Sequence, residues 1–482
     1  MRPLYSVISK LFLSLVFILT IGLFSGTDSF SQPVINVPAG DTAALINAIN
    51  TANGNADTII NLANSTYVLT AVDNNTDGDT GLPAITANMT INGNGAEITR
   101  STAGGTPDFR IMVFNGAADI TLTLNNLTLS NGSVVGEGGG FSNENDGTVN
   151  INNCSIINNT ATTGANGVHN DTAGVININN CLISNNDGPG RSGGVINDFD
   201  GIVNITDSTI TFNDKTSDNF GGGGVTNNSS GILNITRTTI SDNTNSDEDS
   251  VGGVWNNSNG TLNLSESLVT DNNGGRGGGV ANNSSGILNI INTTIKNNSS
   301  DTLGGGVYNN SSGSTNIDSC TIAGNSAPDG PEINDRDDSD GLINILNTIV
   351  GENGNDGNCN SSADIISQGY NIDSGDSCNF NSAGDMVNTD PLLAPLSNNG
   401  GPTLTCALLP ESPAIDNGNP ACPPPDTDQR GFPRPSGDRC DIGAFEVASA
   451  NIPTLGEWGM IVMAGLLGIL GLMAIRRRKL TV

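Results

Sequence analysis

Gly224-Val225-Thr226-Asn227-Asn228-Ser229-Ser230-Gly231-Ile232-Leu233-Asn234-Ile235, closed by Thr239-Ile240-Ser241-Asp242-Asn243, is one copy of a unit written eight times between Phe141 and Asn353. Units of this length mark a stacked architecture. With Asn234 as anchor, its equivalents are Asn150, Asn177, Asn204, Asn263, Asn289, Asn316 and Asn344. Nine residues later each copy carries another Asn, from Asn159 to Asn353. Three residues earlier each carries Gly, from Gly147 to Gly341. Seven residues earlier stand Asn143, Asn170, Asn197, Asn227, Asn256, Asn282 and Asn309, with Asp337 in the eighth copy. Length varies only after the last Asn, in glycine runs such as Gly221–Gly224.

Apolar residues flank the anchor on both sides, as in Leu233-Asn234-Ile235. That period of two is a strand signal, with the flanks inward and the anchor outward. A third inward column lies six residues on: Ile156, Ile183, Ile210, Ile240, Val269, Ile295, Ile322 and Val350. Four after the anchor the residue is always small: Cys154, Cys181, Ser208, Thr238, Ser267, Thr293, Cys320 or Thr348. Each unit offers about three short strands whose apolar faces need neighbours to be buried, so copies stack with parallel pairing at ~4.8 Å. The expected fold is all-β: a right-handed parallel β-helix of about twelve coils, a rod ~55 Å long. Asn stacked on Asn fits turn geometry and coil-to-coil hydrogen bonding. No unit contains a helix, which excludes a leucine-rich horseshoe. The calcium β-roll nonapeptide is also missing.

Six segments follow from this reading. Residues 1–31 carry Arg2 and Lys10 before the apolar run Leu11 to Phe24, the pattern of a secretion signal. Residues 32–140 hold an N-terminal cap and irregular coils. There Asp41 is a helix N-cap, and Leu45, Ile46 and Ile49 form a face to cover the end of the stack. Strands are expected at 58–62, 67–70, 84–92, 110–114 and 120–129. Residues 141–353 are the regular coils. Residues 354–446 form C-terminal coils and a cap holding Cys359, Cys378, Cys406, Cys422 and Cys440. In an exported chain these favour disulfides over metal sites, and the suggested pairs are Cys359–Cys378 and Cys422–Cys440. Cys154 and Cys181 share a column and are expected as stacked thiols, since strand neighbours rarely reach disulfide geometry. Residues 447–451 are a linker, and 452–482 are the tail.

Acidic residues outnumber basic ones 48 to 17, and six of the 17 lie in the end segments. Such a body repels phosphate backbones, so nucleic acid is not an expected partner. Asp73-Asn74-Asn75-Thr76-Asp77-Gly78-Asp79 fits the start of a calcium loop, with Asp73, Asn75, Asp77 and Asp79 as its ligands, but position twelve is Ala84 rather than Glu. A solvated loop is the plainer reading, and no cofactor is expected.

Five blocks near the end carry a resemblance: Asp390-Pro391-Leu392-Leu393, Asn398-Asn399-Gly400-Gly401-Pro402-Thr403, Ser412-Pro413-Ala414-Ile415-Asp416, Asp428-Gln429-Arg430-Gly431 and Asp441-Ile442-Gly443-Ala444-Phe445-Glu446. In order, they resemble the closing segment of the choice-of-anchor Q family, exported bacterial β-helix proteins with alternative surface-sorting tails. That family implies no known reaction. The tail Ile452-Pro453-Thr454-Leu455-Gly456-Glu457-Trp458, the apolar run from Gly459 to Ile475 and Arg476-Arg477-Arg478-Lys479 resemble the IPTL-CTERM sorting signal, a relative of PEP-CTERM. The resemblance implies a Gram-negative source, a membrane sorting protease as partner, and a destination at the cell surface, outer membrane or extracellular matrix. The plainer reading of the same run is a single transmembrane helix with its basic end in the cytoplasm.

Parallel β-helices host polysaccharide lyases and hydrolases, so a polysaccharide-active enzyme is the alternative. No Gly-His-Gly or Arg-x-Lys occurs in the coils, and Asn388-Thr389-Asp390 lies outside them. Asp198 with Asp200 and Arg191 is the nearest acidic–basic cluster. His169, the one histidine, shares its column with Ile196, Thr226, Trp255, Ala281 and Tyr308 and is expected to face solvent. Trp255 and Tyr308, two coils apart and ~10 Å along the stack, are the candidate sugar-contacting aromatics. The expected role is adhesive or structural, against polysaccharides or cell-surface polymers, without catalysis.

Overall fold

A computed structural model describes residues 32–216, 221–336, 341–352, 357–360, 364–448, 464–470 and 473. The expected signal segment 1–31, the motif Ile452-Pro453-Thr454-Leu455 and most of the apolar tail lie outside these residues. Residues 464–470 are helical, and among the described residues no helix is long and apolar enough to cross a membrane. The expected transmembrane helix therefore gains no support.

The body is an all-β parallel solenoid of about 12 turns. Among the described residues its strands form sheets of 23, nine, four and two members, and the pairings between these strands are parallel. Anchor sits on anchor: Asn150 pairs with Asn177, Asn177 with Asn204, and the series continues unbroken to Asn344. The three expected apolar columns are buried and share one core with a fourth, Phe141, Val168, Val195, Val225, Val254, Val280, Val307 and Ile333. Helix α1 (Thr42–Asn53) closes the N-terminal end. Asp41 caps it by accepting from the Ala44 amide at 2.9 Å, and Leu45, Ala48, Ile49 and Ala52 are buried. One irregular strand departs from expectation: the segment expected at 84–92 is Met89–Arg100, bent at Asn94 with φ 53°.

The Asn columns divide into two kinds. The anchors are half-buried on the outer face, and each donates from Nδ2 to the preceding coil, as Asn234 does to Asn204 at 2.7 Å and Asn263 to Asn234 at 2.8 Å. The columns seven before and nine after turn inward and are buried. Their ladders run the other way: Asn213 donates to Asn243 at 2.8 Å, and Asn243 to Asn272 at 2.9 Å. Each Asn of the nine-after column also donates to a strand carbonyl, as Asn243 does to Ile210 at 3.0 Å, and accepts from the backbone amide one coil back. Buried backbone groups at these corners need partners, and the amide side chain supplies a donor and an acceptor together.

A ladder that donates forward needs an acceptor at its end. Asn325 donates to Glu332 at 2.6 Å, and Asn309 donates to Asp335 at 2.7 Å. Carboxylates accept and do not donate, which suits them to a terminus. Asp335 pairs with Asn309, so the eighth member of that column is Asp335. The count back from Asn344 that chose Asp337 fails because the connection before Leu342 is longer by two. Asp337 and Asn353 lie outside the described residues.

The invariant glycine now has a reason. A Cβ on Gly201 would stand 2.1 Å from Asn170 Nδ2, and one on Gly260 would stand 2.3 Å from Asn227 Nδ2. Glycine clears the space where the inward Asn of the preceding coil lies, and its carbonyl accepts from the Asn of its own coil, as Gly201 does from Asn197 at 2.8 Å. The always-small column also has one. Its hydroxyl or thiol accepts the backbone amide of the same column one coil earlier: Cys154 donates to Cys181 Sγ at 3.3 Å, and Cys181 to Ser208 Oγ at 3.1 Å. Cys154, Cys181, Cys320 and Cys406 are buried free thiols.

Each regular coil turns a corner three residues after the anchor with positive φ, at Asn153, Asn180, Asp207, Arg237, Glu266, Asn292, Ser319 and Asn347. A second corner, eight after the anchor, holds Asn158, Asn185, Phe212, Asp242, Asp271 and Asn297. Phe212, with φ 53°, is the costly member, since a left-handed residue other than Gly, Asn or Asp carries about 1–2 kcal/mol of strain. Phe212→Asn is expected to raise the unfolding free energy by about 0.5–1 kcal/mol. Urea melts check it, and an unchanged or lower midpoint contradicts it.

After Ile365–Ser367 and Ile372–Asp373 the chain leaves the stack and folds back along it. Both suggested disulfides form, Cys359–Cys378 and Cys422–Cys440. The returning segment bonds to coils already laid down: Asn292 donates to the Thr427 carbonyl at 2.6 Å, Thr294 to Gln429 Oε1 at 2.6 Å, and the Ala444 amide to Thr321 Oγ1 at 3.1 Å. The closing blocks meet here. Asp428 accepts from the amides of Arg430, Phe432 and Glu446 and pairs with the Arg430 guanidinium, which lies 3.6 Å from the Phe445 ring centre. They form a clasp on the flank of the solenoid.

Candidate functional site

The column expected to face solvent is covered. His169 and Ile196 are fully buried, Ala281 is 1% exposed, Trp255 4% and Tyr308 5%. The cover is the glycine-rich connection of each coil. A Cβ on Gly138 would lie 2.7 Å from Ser142 Cβ, and one on Gly304 would lie 2.8 Å from Tyr308 Cβ. Lacking side chains, these connections lie flat on the nine-stranded sheet. The Gly222 amide donates to Thr226 Oγ1 at 2.8 Å, so the backbone also bonds to the column it covers.

His169, on the strand Val168–Asn170, sits at the centre of a charged cluster. Glu137 reaches it from the preceding connection, with Oε2 3.1 Å from Nδ1. Asp198, on Val195–Asp198 one coil on, lies 3.1 Å from Nε2, and Asp171 Oδ1 lies 3.9 Å from Nε2. Arg191 pairs with Asp198 and stands 3.7 Å from Glu137. Asn228 donates to the other Asp198 oxygen at 2.5 Å. Gly164, with φ 59°, makes the Glu137 contact possible, because a Cβ there would lie 2.8 Å from Glu137 Cβ. Nδ1 is within ion-pair distance of Glu137, yet it has no hydrogen bond in line.

Burial alone would keep the imidazole neutral. Asp198 and Glu137 outweigh it and push the pKa up to about 9. Burial also raises both of those carboxyls, but His169 and Arg191 reverse this and hold them below the usual range. Asp171 gains less from His169, and burial pushes it up to about 6. Glu332, at the end of its Asn ladder, is pushed up by burial to about 7.

A stability profile follows. The His169 contribution, about 3 kcal/mol for a rise from 6.5 to about 9, is complete below pH ~6.5 and lost as pH rises through 9. Glu332 acts in the same direction, losing its contribution between pH ~4.5 and 7. Depressed Asp198 and Glu137 act oppositely, and only as pH falls below the carboxylate range. The melting temperature is expected to peak near pH ~5 and to fall by a few °C toward pH 9. His169→Gln is expected to flatten the alkaline side. Thermal melts across pH in chelated buffer check it, and a flat wild-type profile contradicts it.

Of the acidic–basic cluster read from sequence, Asp198 and Arg191 are together, but Asp200 is not, because it accepts from Ser230 on the exposed turn. Glu137, His169 and Asp171 were missed as partners. Glu137 lies in a length-variable connection where column counting has no register.

Trp255 and Tyr308 keep their expected stacking, one coil either side of Ala281, but not their expected exposure. With Val251 and Ala281 they form a separate apolar cluster. It floors a shallow pocket rimmed by Asp249, Arg276, Asn283 and Asn310. Arg276 pairs with Asp249 at 2.6 Å. The Tyr308 hydroxyl is buried, and the Arg336 guanidinium lies close enough to act on it.

In the calcium-like loop, Asp77 is already engaged. Its carboxylate accepts from Asn115 at 2.5 Å, and its carbonyl accepts from the buried Arg110 guanidinium at 2.7 Å. Asn74, between the suggested ligands, donates to the Leu82 carbonyl at 2.6 Å. A guanidinium thus sits against the loop where a cation would compete with it.

Fold and site define a parallel β-solenoid with a side clasp, a buried charge cluster and an aromatic pocket. Over residues 450–478 the chain matches the family model for the IPTL-CTERM motif. That match covers the expected sorting residues Ile452 to Leu455 and points to export and the cell surface. No curated protein matches the chain. Among solved structures, the crystal structure of pectate lyase Pel9A is similar at 15% identity with a TM-score of 0.45, over 87% of this chain and 98% of that one.

Proposed function

We propose that this chain is an exported, surface-sorted solenoid that binds polysaccharide without cleaving it, in an adhesive or structural role. The observation that carries the binding reading is the pocket over Trp255 and Tyr308. Arg276, Asn283 and Asn310 offer donors at its rim for sugar hydroxyls, over an apolar floor that the nearly buried Trp255 and Tyr308 form. The tail match supports sorting. A membrane sorting protease acting near Pro453 and Thr454, and placement in the outer membrane or matrix, belong to the same proposal.

Catalysis has less to work with. The one histidine is fully buried between carboxylates, which weighs against its serving as a general base on a bound glycan. Incubation with acidic and neutral glycans decides between binding and cleavage. Retention on a glycan, weakened by Arg276→Ala at the exposed rim, is expected. New reducing or unsaturated ends would replace this proposal with a lyase or hydrolase.

A further inference from the structure

We propose that Glu137, His169 and Asp171 form a binding site for a divalent transition metal of the zinc class, pinning adjacent coils together. Three observations carry it. Each residue can bring one ligand atom within 4.8 Å of the others. An ion bound at ~2.0–2.2 Å from each ligand requires Asp171, whose Oδ1 lies 3.9 Å from Nε2, to turn toward Nδ1. His169 Nδ1 is fully buried, faces Glu137 and has no hydrogen bond in line. Asp198 meanwhile takes the opposite ring nitrogen, Nε2, at 3.1 Å. A carboxylate on one nitrogen fixes the tautomer that presents the other to a metal. Asp198 is itself held by Arg191 and Asn228, so it acts as a positioning residue.

Charge points the same way. Three ionised carboxylates, Arg191 and the imidazolium sum to −1, and a dication that displaces the His169 proton brings the cluster to zero. One imidazole with carboxylate oxygens suits zinc better than calcium, whose sites are all oxygen. The site joins the connection before Phe141–Asn143 to the strand Val168–Asn170 and the residue just after it, so an ion there would add to the Asn ladders and backbone pairing that already hold these two coils together.

The test uses the full chain, stripped with a chelator and equilibrated with zinc. One equivalent bound per chain and a raised melting temperature are expected. His169→Gln and Asp171→Asn are each expected to weaken zinc binding by at least about 10-fold. Asp171→Asn guards against misfolding, because Asp171 lies at the partly exposed rim. Asp200→Asn, on the adjoining turn but outside the cluster, is expected to change nothing. Absence of stoichiometric zinc, or zinc held equally well by His169→Gln and Asp171→Asn, overturns the site.

Discussion

Asn243→Ala is expected to lower the unfolding free energy by about 4 kcal/mol, while Asn234→Ala in the same coil costs under about 1 kcal/mol. The two residues share a letter and a repeat but not an environment. Asn243 is fully buried. Its side chain donates to Ile210 and Asn272 and accepts from the amide and side chain of Asn213. Alanine removes four bonds at about 1 kcal/mol each and leaves the Ile210 carbonyl and the Asn213 amide without water to replace them. Asn234 is half-exposed, and solvent can satisfy the side-chain amides it leaves on Asn204 and Asn263. Urea denaturation of both variants measures the difference. Equal losses would mean that the ladders are ornaments of one kind.

The second large effect is expected at the clasp. Asp428 is fully buried and holds three backbone amides and the Arg430 guanidinium. Removing one partner of a buried ion pair typically costs about 3–5 kcal/mol. Asp428→Ala is expected to release the returning segment from the flank, so that 390–446 is cut by protease while the coils resist. Asp428→Asn, which keeps an acceptor but not the charge, should fall between. A digestion pattern identical to wild type would show that the clasp is held from elsewhere.

Much of this architecture was legible because a solenoid writes its register into the sequence. Constant spacing placed the inward columns, and the helix cap at Asp41 was readable from local chemistry. The paired cysteines were readable as candidates. Most of what failed had one cause. The variable glycine connections carry no column of their own, so column counting does not show what they cover. They lie on the nine-stranded sheet, so His169, Trp255 and Tyr308 are covered rather than exposed, and Glu137 reaches His169 from such a connection. The displacement of Asp337 by Asp335 has the same origin, an insertion in a connection. The inward turn of two Asn columns was also beyond counting, because a letter repeated for its hydrogen bonds looks alike on either side of a wall.

Distances between spin labels on the anchor column test the stack most directly. Anchor positions are half-exposed and tolerant, and the four free thiols are buried. Labels replacing Asn150 and Asn289, five coils apart, should lie ~24 Å from each other, and labels replacing Asn150 and Asn344, seven apart, ~34 Å. A separation growing by ~4.8 Å with every coil is the expected result. Separations that fail to scale with coil number would contradict the stack and everything built on it.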